Sequence, residues 1–533
     1  MNNTLYMEGL ALQIPYEFIP IVTYGNVSFV QLLLTFSIFI ILLRKPSYIN
    51  LYIALFTIFF CLCYNFPIFT NIQSINYSKE IMEILSINTN TLTQEEVRPG
   101  ATTESIILLC LMGLCSLGPP GPGLALFLIV GLGGLLIINS VDYLSIYLAL
   151  EFQTFALFIL TAYGAPFHEE VKKTIGPGLV HCAEGGLKYW ILGAMSSGFY
   201  LFGCALYFGI TGSENMLGTI YPGIMDTNMD LWAGSLGYLF ILVSFLFKLG
   251  VAPFHMWTPD VYEGAPTSTT ALIAIIPKFS IFILIIGLAF STTKLLFLVA
   301  LVSLLIGALG ALNQTRIKRL LAYSGIGHMG FILLGLSIGS YDSFHNSFIY
   351  ILIYLLTILA SFTLLCSLEE LKRTPLGLII DFSLFSRGYP YLSFSIAILF
   401  LSLAGIPPLL GFLGKWLILV GSIKTALTFS LPIYYWGSFI AGICATLSAF
   451  YYIRIVATLY FNISRPLDNN FINYSPSVPL SFLFLWESLL LPLPPFPLSR
   501  SILIGLYLYF ILFLIFTPQS LFLLSHEAIL GIV

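Results

Sequence analysis

The chain has 533 residues, of which 58% are hydrophobic and only 8% charged, with a net charge of −3. A soluble domain carries about 25% charged residues, so lipid and not water must solvate most of this surface. The near-neutral balance leaves no basic footprint for nucleic acid.

Residues 1–43 hold no Lys or Arg, so the N-terminus reads as neither a signal peptide nor an Arg-rich transit peptide. Insertion as a bacterial or organelle-encoded protein is expected. A helix needs about 20 apolar residues to cross a bilayer. Fourteen such runs are predicted, at 26–43, 49–70, 103–118, 123–140, 143–163, 185–211, 233–257, 266–290, 294–312, 318–339, 346–368, 391–422, 432–460 and 501–524. The polar loop 71–102, the segment Gly118–Gly123 (GPPGPG) and the Pro-rich stretch 466–497 interrupt them. Of the 21 Lys and Arg, 12 fall in odd-numbered loops and 4 in even-numbered ones. That bias puts the odd loops on the cytoplasmic or matrix side. Both termini then lie opposite, on the intermembrane-space or periplasmic side.

The remaining five basic residues fall inside predicted helices. An ionisable group at bilayer depth is costly and usually marks an ion path. In chain order, Glu151 comes first, roughly 13 Å along its helix from Asp142, too deep for a short side chain to reach water. Glu184 and Lys188, four apart, share a helix face; they serve a path or merely hold helices together. Lys248 and Lys278 flank the segment Thr258–Pro266, each roughly 16–18 Å from it along its helix, near the midplane. His255 and His328 sit in apolar settings, where histidine either relays protons or packs helices. Lys415 follows Gly405, Pro407, Pro408 and Gly411, which cannot lie in an unbroken helix. Such a break is tolerated only beside protein or a water-filled cavity. Pro253 breaks helix seven similarly. Two interrupted helices five apart, each with one lysine, are the pattern of an inverted-repeat transporter. Arg454 reads as an anchor. The eight cysteines, at 61, 63, 110, 115, 182, 204, 366 and 444, form no C-x-x-C pair and read as small buried hydrophobes. The sequence carries no iron–sulfur, flavin or dinucleotide motif.

Five stretches carry a resemblance: Asp142–Gln153 (DYLSIYLALEFQ), Glu184–Gly198 (EGGLKYWILGAMSSG), Phe247–Pro266 (FKLGVAPFHMWTPDVYEGAP), Arg319–Gly330 (RLLAYSGIGHMG) and Ala404–Trp416 (AGIPPLLGFLGKW). In this order they resemble the antiporter-like chain 2 family of respiratory complex I, the proton-pumping NADH:quinone oxidoreductase. The resemblance spans about residues 124–460. It implies an all-α membrane protein of about fourteen transmembrane helices, with two inverted five-helix repeats and breaks in helices seven and twelve. The repeats are expected at 123–290 and 291–463, preceded by helices one to three (1–122) and followed by a Pro-rich loop and last helix (464–533). It further implies a hydrophilic axis across the membrane arm. Glu151 resembles the helix-five glutamate facing the neighbouring subunit, and Lys188 the helix-six lysine. Lys248 resembles the lysine of broken helix seven, Lys278 the central helix-eight lysine, and Lys415 the helix-twelve lysine at the far end. NAD, FMN, iron–sulfur clusters and ubiquinone are expected in other subunits of such a complex, and no cofactor in this chain. Its expected partners are neighbouring membrane-arm subunits and lipid, in the mitochondrial inner membrane or, as the alternative, a bacterial plasma membrane. A stand-alone cation/proton antiporter module and a non-conducting structural subunit are the rival readings.

Overall fold

The computed structural model describes residues 29–43, 48–65, 101–118, 122–162, 178–212, 228–289, 292–372, 377–384, 389–428, 432–461 and 498–530. Most of the polar loop 71–102, residues 119–121, Lys172, Lys173 and the Pro-rich stretch 466–497 lie outside the described residues. Seventeen α-helices make up nearly all of the rest: α1 Phe29–Leu43, α2 Tyr48–Asn65, α3 Ala101–Cys115, α4 Pro122–Asn139, α5 Tyr143–Ala162, α6 Gly178–Thr211, α7 Asn228–Leu249, α8 Trp257–Gly264, α9 Thr267–Leu288, α10 Thr293–Leu312, α11 Ile317–Leu336, α12 Tyr341–Lys372, α13 Pro390–Ala404, α14 Leu410–Thr428, α15 Pro432–Phe461, α16 Leu498–Phe513 and α17 Gln519–Leu530. Among the described residues β structure is limited to isolated bridges, such as that between Arg316 and Leu378. With no water at bilayer depth, backbone groups must bond within their own segment, and helices do this.

Predicted span 391–422 divides into α13 and α14 and predicted span 501–524 into α16 and α17, while the short α8 follows α7 beyond the end of predicted span 233–257 and is taken with it as one crossing. Paired in this way, the seventeen helices among the described residues make fourteen crossings. Glycine and proline set two of the breaks. Gly250 ends α7 at φ +69° and Gly405 ends α13 at φ +86°, a left-handed conformation that other residues adopt only with strain. Each break falls in the fourth crossing of a five-crossing run, α4–α9 and then α10–α15. Five is odd, so the second run starts from the opposite side of the membrane, which makes the repeat an inverted one. The sequence reading needs correcting in three places. The predicted loop Thr258–Pro266 is largely the two-turn helix α8. The last span divides ahead of Pro518. Helix six starts at Gly178 rather than 185, which brings Glu184 inside it alongside Lys188.

Burial sorts the helices into centre and periphery. Of α9, every residue but Gly287 is buried, and α11 and α12 are nearly as enclosed. The outer helices expose Phe36, Phe56, Leu148, Phe155, Trp436 and Phe450 among many others, a surface suited to acyl chains. The charged side chains on the innermost helices are therefore conspicuous.

Candidate functional site

Lys248 is the last residue but one of α7, placed beside the break. Its Nζ lies 3.7 Å from Glu151 Oε1 on α5, and the lysine side chain is 8% exposed against 24% for the glutamate. Thr154, one turn on, donates to Glu151 Oε2 at 3.4 Å. A small cavity of about 20 Å³ adjoins the pair, lined by Gln153, Thr154, Tyr189, Ser196, Lys248 and Pro277 among others. Pro277 and Ile281 carry its lining onto α9, the helix that bears Lys278.

Lys278 is 3% exposed. Its Nζ donates to Tyr354 Oη on α12 at 3.1 Å and lies 5.4 and 5.8 Å from the ring centroids of Tyr354 and Tyr262. The aromatic faces offset part of the cost of burying an ammonium. Gly325 of α11 makes this approach possible, since a Cβ there would stand 3.2 Å from Lys278 Nζ. Tyr262 Oη, buried beside this lysine, has no hydrogen-bond partner among the described residues.

His328 continues the row. Its ring centroid lies 5.5 Å from that of Tyr354. Nδ1 lies 2.7 Å from Tyr350 Oη and Nε2 3.3 Å from Tyr452 Oη. One ring nitrogen donates and the other accepts, according to tautomer. Tyr452 packs on Tyr451 at 4.5 Å between centroids, and Ser448 stands one turn earlier on α15. Lys415 closes the row. Its Nζ donates to Leu403 O (3.1 Å), Ala404 O (2.8 Å) and Ser448 Oγ (3.5 Å). The first two acceptors are carbonyls left free where α13 ends at Gly405, and the C-terminal end of a helix favours a cation. The helix break therefore builds the seat for this lysine.

The structure thus brings Lys278, His328 and Lys415 into one row, with the Glu151–Lys248 pair beside the cavity that α9 also lines. It places Glu184 and Lys188 elsewhere, in an ionic cluster on α8: Lys188 Nζ lies 2.8 Å from Glu184 and 2.8 Å from Asp260. His255 lies in the break, where its carbonyl accepts from Thr258 N (3.0 Å) and Oγ1 (2.6 Å) at the start of α8. Its Nδ1 is buried without a hydrogen-bond partner among the described residues. Arg454 donates to Leu312 O (2.8 Å) and Gln314 O (2.6 Å), capping the end of α10. The tyrosines at 262, 350, 354 and 452 and Ser448 escape the sequence reading. With 30 tyrosines in the chain, the available signal is the i, i+4 spacing of Tyr350 and Tyr354.

Residues 140–441 match the family described as "NADH:quinone oxidoreductase/Mrp antiporter, TM". The chain is 40% identical over 417 residues to NADH-ubiquinone oxidoreductase chain 2 of Metridium senile, covering 76% of this chain and 96% of the relative. Among solved structures, a chain of the archaeal membrane-bound sulfane sulfur reductase superposes with TM-score 0.71 at 20% identity, covering 95% of this chain and 97% of that one. A chain of respiratory complex I from Thermus thermophilus with bound aureothin does so with TM-score 0.63 at 22% identity, covering 90% and 97%.

Proposed function

Because the chain belongs to the NADH:quinone oxidoreductase/Mrp antiporter membrane family, we propose that it moves protons as the antiporter-like chain 2 subunit of respiratory complex I. NADH oxidation and ubiquinone reduction then take place in other subunits. The likeness to chain 2 over nearly its whole length supports this assignment. The membrane is the mitochondrial inner membrane, with the termini on the intermembrane-space side, or the plasma membrane if the source is bacterial. The two repeats occupy 123–290 and 291–463, and the order of their helices supports these limits.

One observation carries the functional reading: two buried lysines, Lys278 and Lys415, with His328 held between tyrosine hydroxyls in the space separating them. Hydroxyls and a neutral imidazole both donate and accept, so a proton can enter at one side of each group and leave at the other. A lysine amine can hold or release a proton, and each of these two stands within hydrogen-bond reach of a hydroxyl. Glu151 and Lys248 act as the switch at the near end. A proton reaching Glu151 removes the partner that compensates Lys248, and Lys248 then releases its proton through the cavity towards Lys278. Lys415 receives it at the far end. Glu184, Lys188 and His255 complete the set of candidates, in supporting places off this row.

The test is Lys278→Ala. The complex is expected to assemble and oxidise NADH while pumping fewer protons per NADH in reconstituted vesicles. Unchanged pumping removes Lys278 from the path. A stand-alone antiporter, the other half of the family description, is distinguished by purification: it would run free of NADH-oxidising subunits.

A further inference from the structure

Helix α8 is two turns long, and an isolated helix of that length does not hold itself together. Other elements grip it. Asp260 is paired with Lys188 of α6 at 2.8 Å and with Arg319 of α11 at 2.7 Å. Glu263 is paired with Arg319 at 3.0 Å and with Arg316, just ahead of α11. Glu184 holds Lys188 from the other side at 2.8 Å. Two carboxylates on eight residues are thus answered by three cations from two neighbouring elements.

The rest of α8 points inward. Trp257 and Tyr262 are buried. Trp257 Nε1 donates at 3.0 Å to the carbonyl of Phe247, the residue before Lys248. The Tyr262 ring is the one 5.8 Å from Lys278 Nζ. The same two turns therefore meet the ionic cluster, the end of the helix bearing Lys248, and Lys278. Lys188 itself is 41% exposed at its side chain and donates to two carboxylates at once. Both features favour a held proton over a passing one.

We propose that Lys188, Asp260, Glu263 and Arg319 are positioning residues: their ion pairs hold α8 so that Trp257 and Tyr262 fix the settings of Lys248 and Lys278, and Lys188 carries no transported proton. The inference rests on the reading of Lys248 and Lys278 as proton carriers.

Two readouts on the whole complex test it: protons pumped per NADH in vesicles, and hydrogen–deuterium exchange of residues 257–264. Lys188→Met is expected to speed exchange in α8 and to lower pumping per NADH about threefold, the scale of a partly exposed ion pair. Lys188→Arg is expected to restore both, because arginine keeps the charge and the carboxylate contacts but does not give up its proton. Glu263→Gln, which releases Arg316 and Arg319, should speed exchange as Lys188→Met does, and it carries the test if Lys188→Met fails to assemble. Poor pumping by Lys188→Arg with normal exchange would make Lys188 a carrier and overturn the proposal. Faster exchange with undiminished pumping, or no change in either readout, overturns it as well. Lys278→Ala measured in parallel keeps the two ideas apart: full pumping there sinks the proton path, while exchange still reports on the clamp.

Discussion

At the scale of single residues the Glu151–Lys248 pair is the sharpest feature, because its members are unequally buried. Two unit charges about 4 Å apart attract by about 4 kcal/mol at an effective dielectric of 20. Removing one member of a fully buried pair leaves the other uncompensated, at a cost of about 3–5 kcal/mol. Glu151 retains 24% exposure and Lys248 8%, so the lysine tolerates abandonment less well. Glu151→Gln is therefore expected to slow pumping more than Lys248→Met, and the double substitution to cost less than the two singles together. A double-mutant cycle on pumping rate in vesicles checks both points, and strict additivity would refute the coupling. The residues of this pair were legible in the sequence because a charge in an apolar run is costly and rare. The tyrosines were not. A phenol in an aromatic-rich chain costs little to bury, and only the fold tells Tyr354, against Lys278, from a tyrosine facing lipid.

At the scale of elements, the two helix breaks were legible for the same kind of reason: glycine and proline change what the backbone can do, whatever the tertiary context. Helix α8 was not legible, since a two-turn helix with two acidic residues and a proline has the composition of a loop. Its helicity comes from the cations of α6 and α11, which no local pattern announces. The break after α13 allows a direct test. A residue other than glycine costs roughly 1–2 kcal/mol in the left-handed region. At Gly405 a Cβ would also stand 3.0 Å from Lys415 Cδ and 3.2 Å from its Nζ. Gly405→Ala is therefore expected to lower the melting temperature of the complex and to reduce pumping through displacement of the Lys415 amine from Ala404 O. Gly442→Ala, on α15 with nothing within 4 Å of the added carbon, should leave both unchanged. Equal effects at the two sites would mean that Lys415 does not depend on its seat.

At the scale of the whole molecule, the ion pairs identify the two ends of the bundle. Helix α11 begins beside Arg319 and ends at Leu336, α12 returns from Tyr341 to Lys372, and α13 with α14 cross again to Thr428. Lys424, near the end of α14, meets Asp342, at the start of α12, at 3.5 Å. These two helix ends therefore share one side. Glu370, near the end of α12, is paired with Arg500, at the start of α16, and that end lies with Arg319. Lys188, Arg316, Lys318 and Arg454 gather at the same end, through Asp260, Glu263, Ala265 and the end of α10. An excess of Lys and Arg marks the side that stays with the ribosome during insertion. Lys318, Arg319, Lys294 and Lys424, counted as loop residues in the sequence, lie in the first or last turns of helices, which leaves their side of the membrane unaltered. The expected outcome is that a membrane-impermeant thiol reagent reaches Glu370→Cys from the matrix or cytoplasmic side and Lys424→Cys from the opposite side, each introduced where the natural cysteines have been replaced. Labelling of both from one side would mean that an odd number of crossings separates the chain from this topology, and the orientation of the row from Lys278 to Lys415 would have to be redrawn with it.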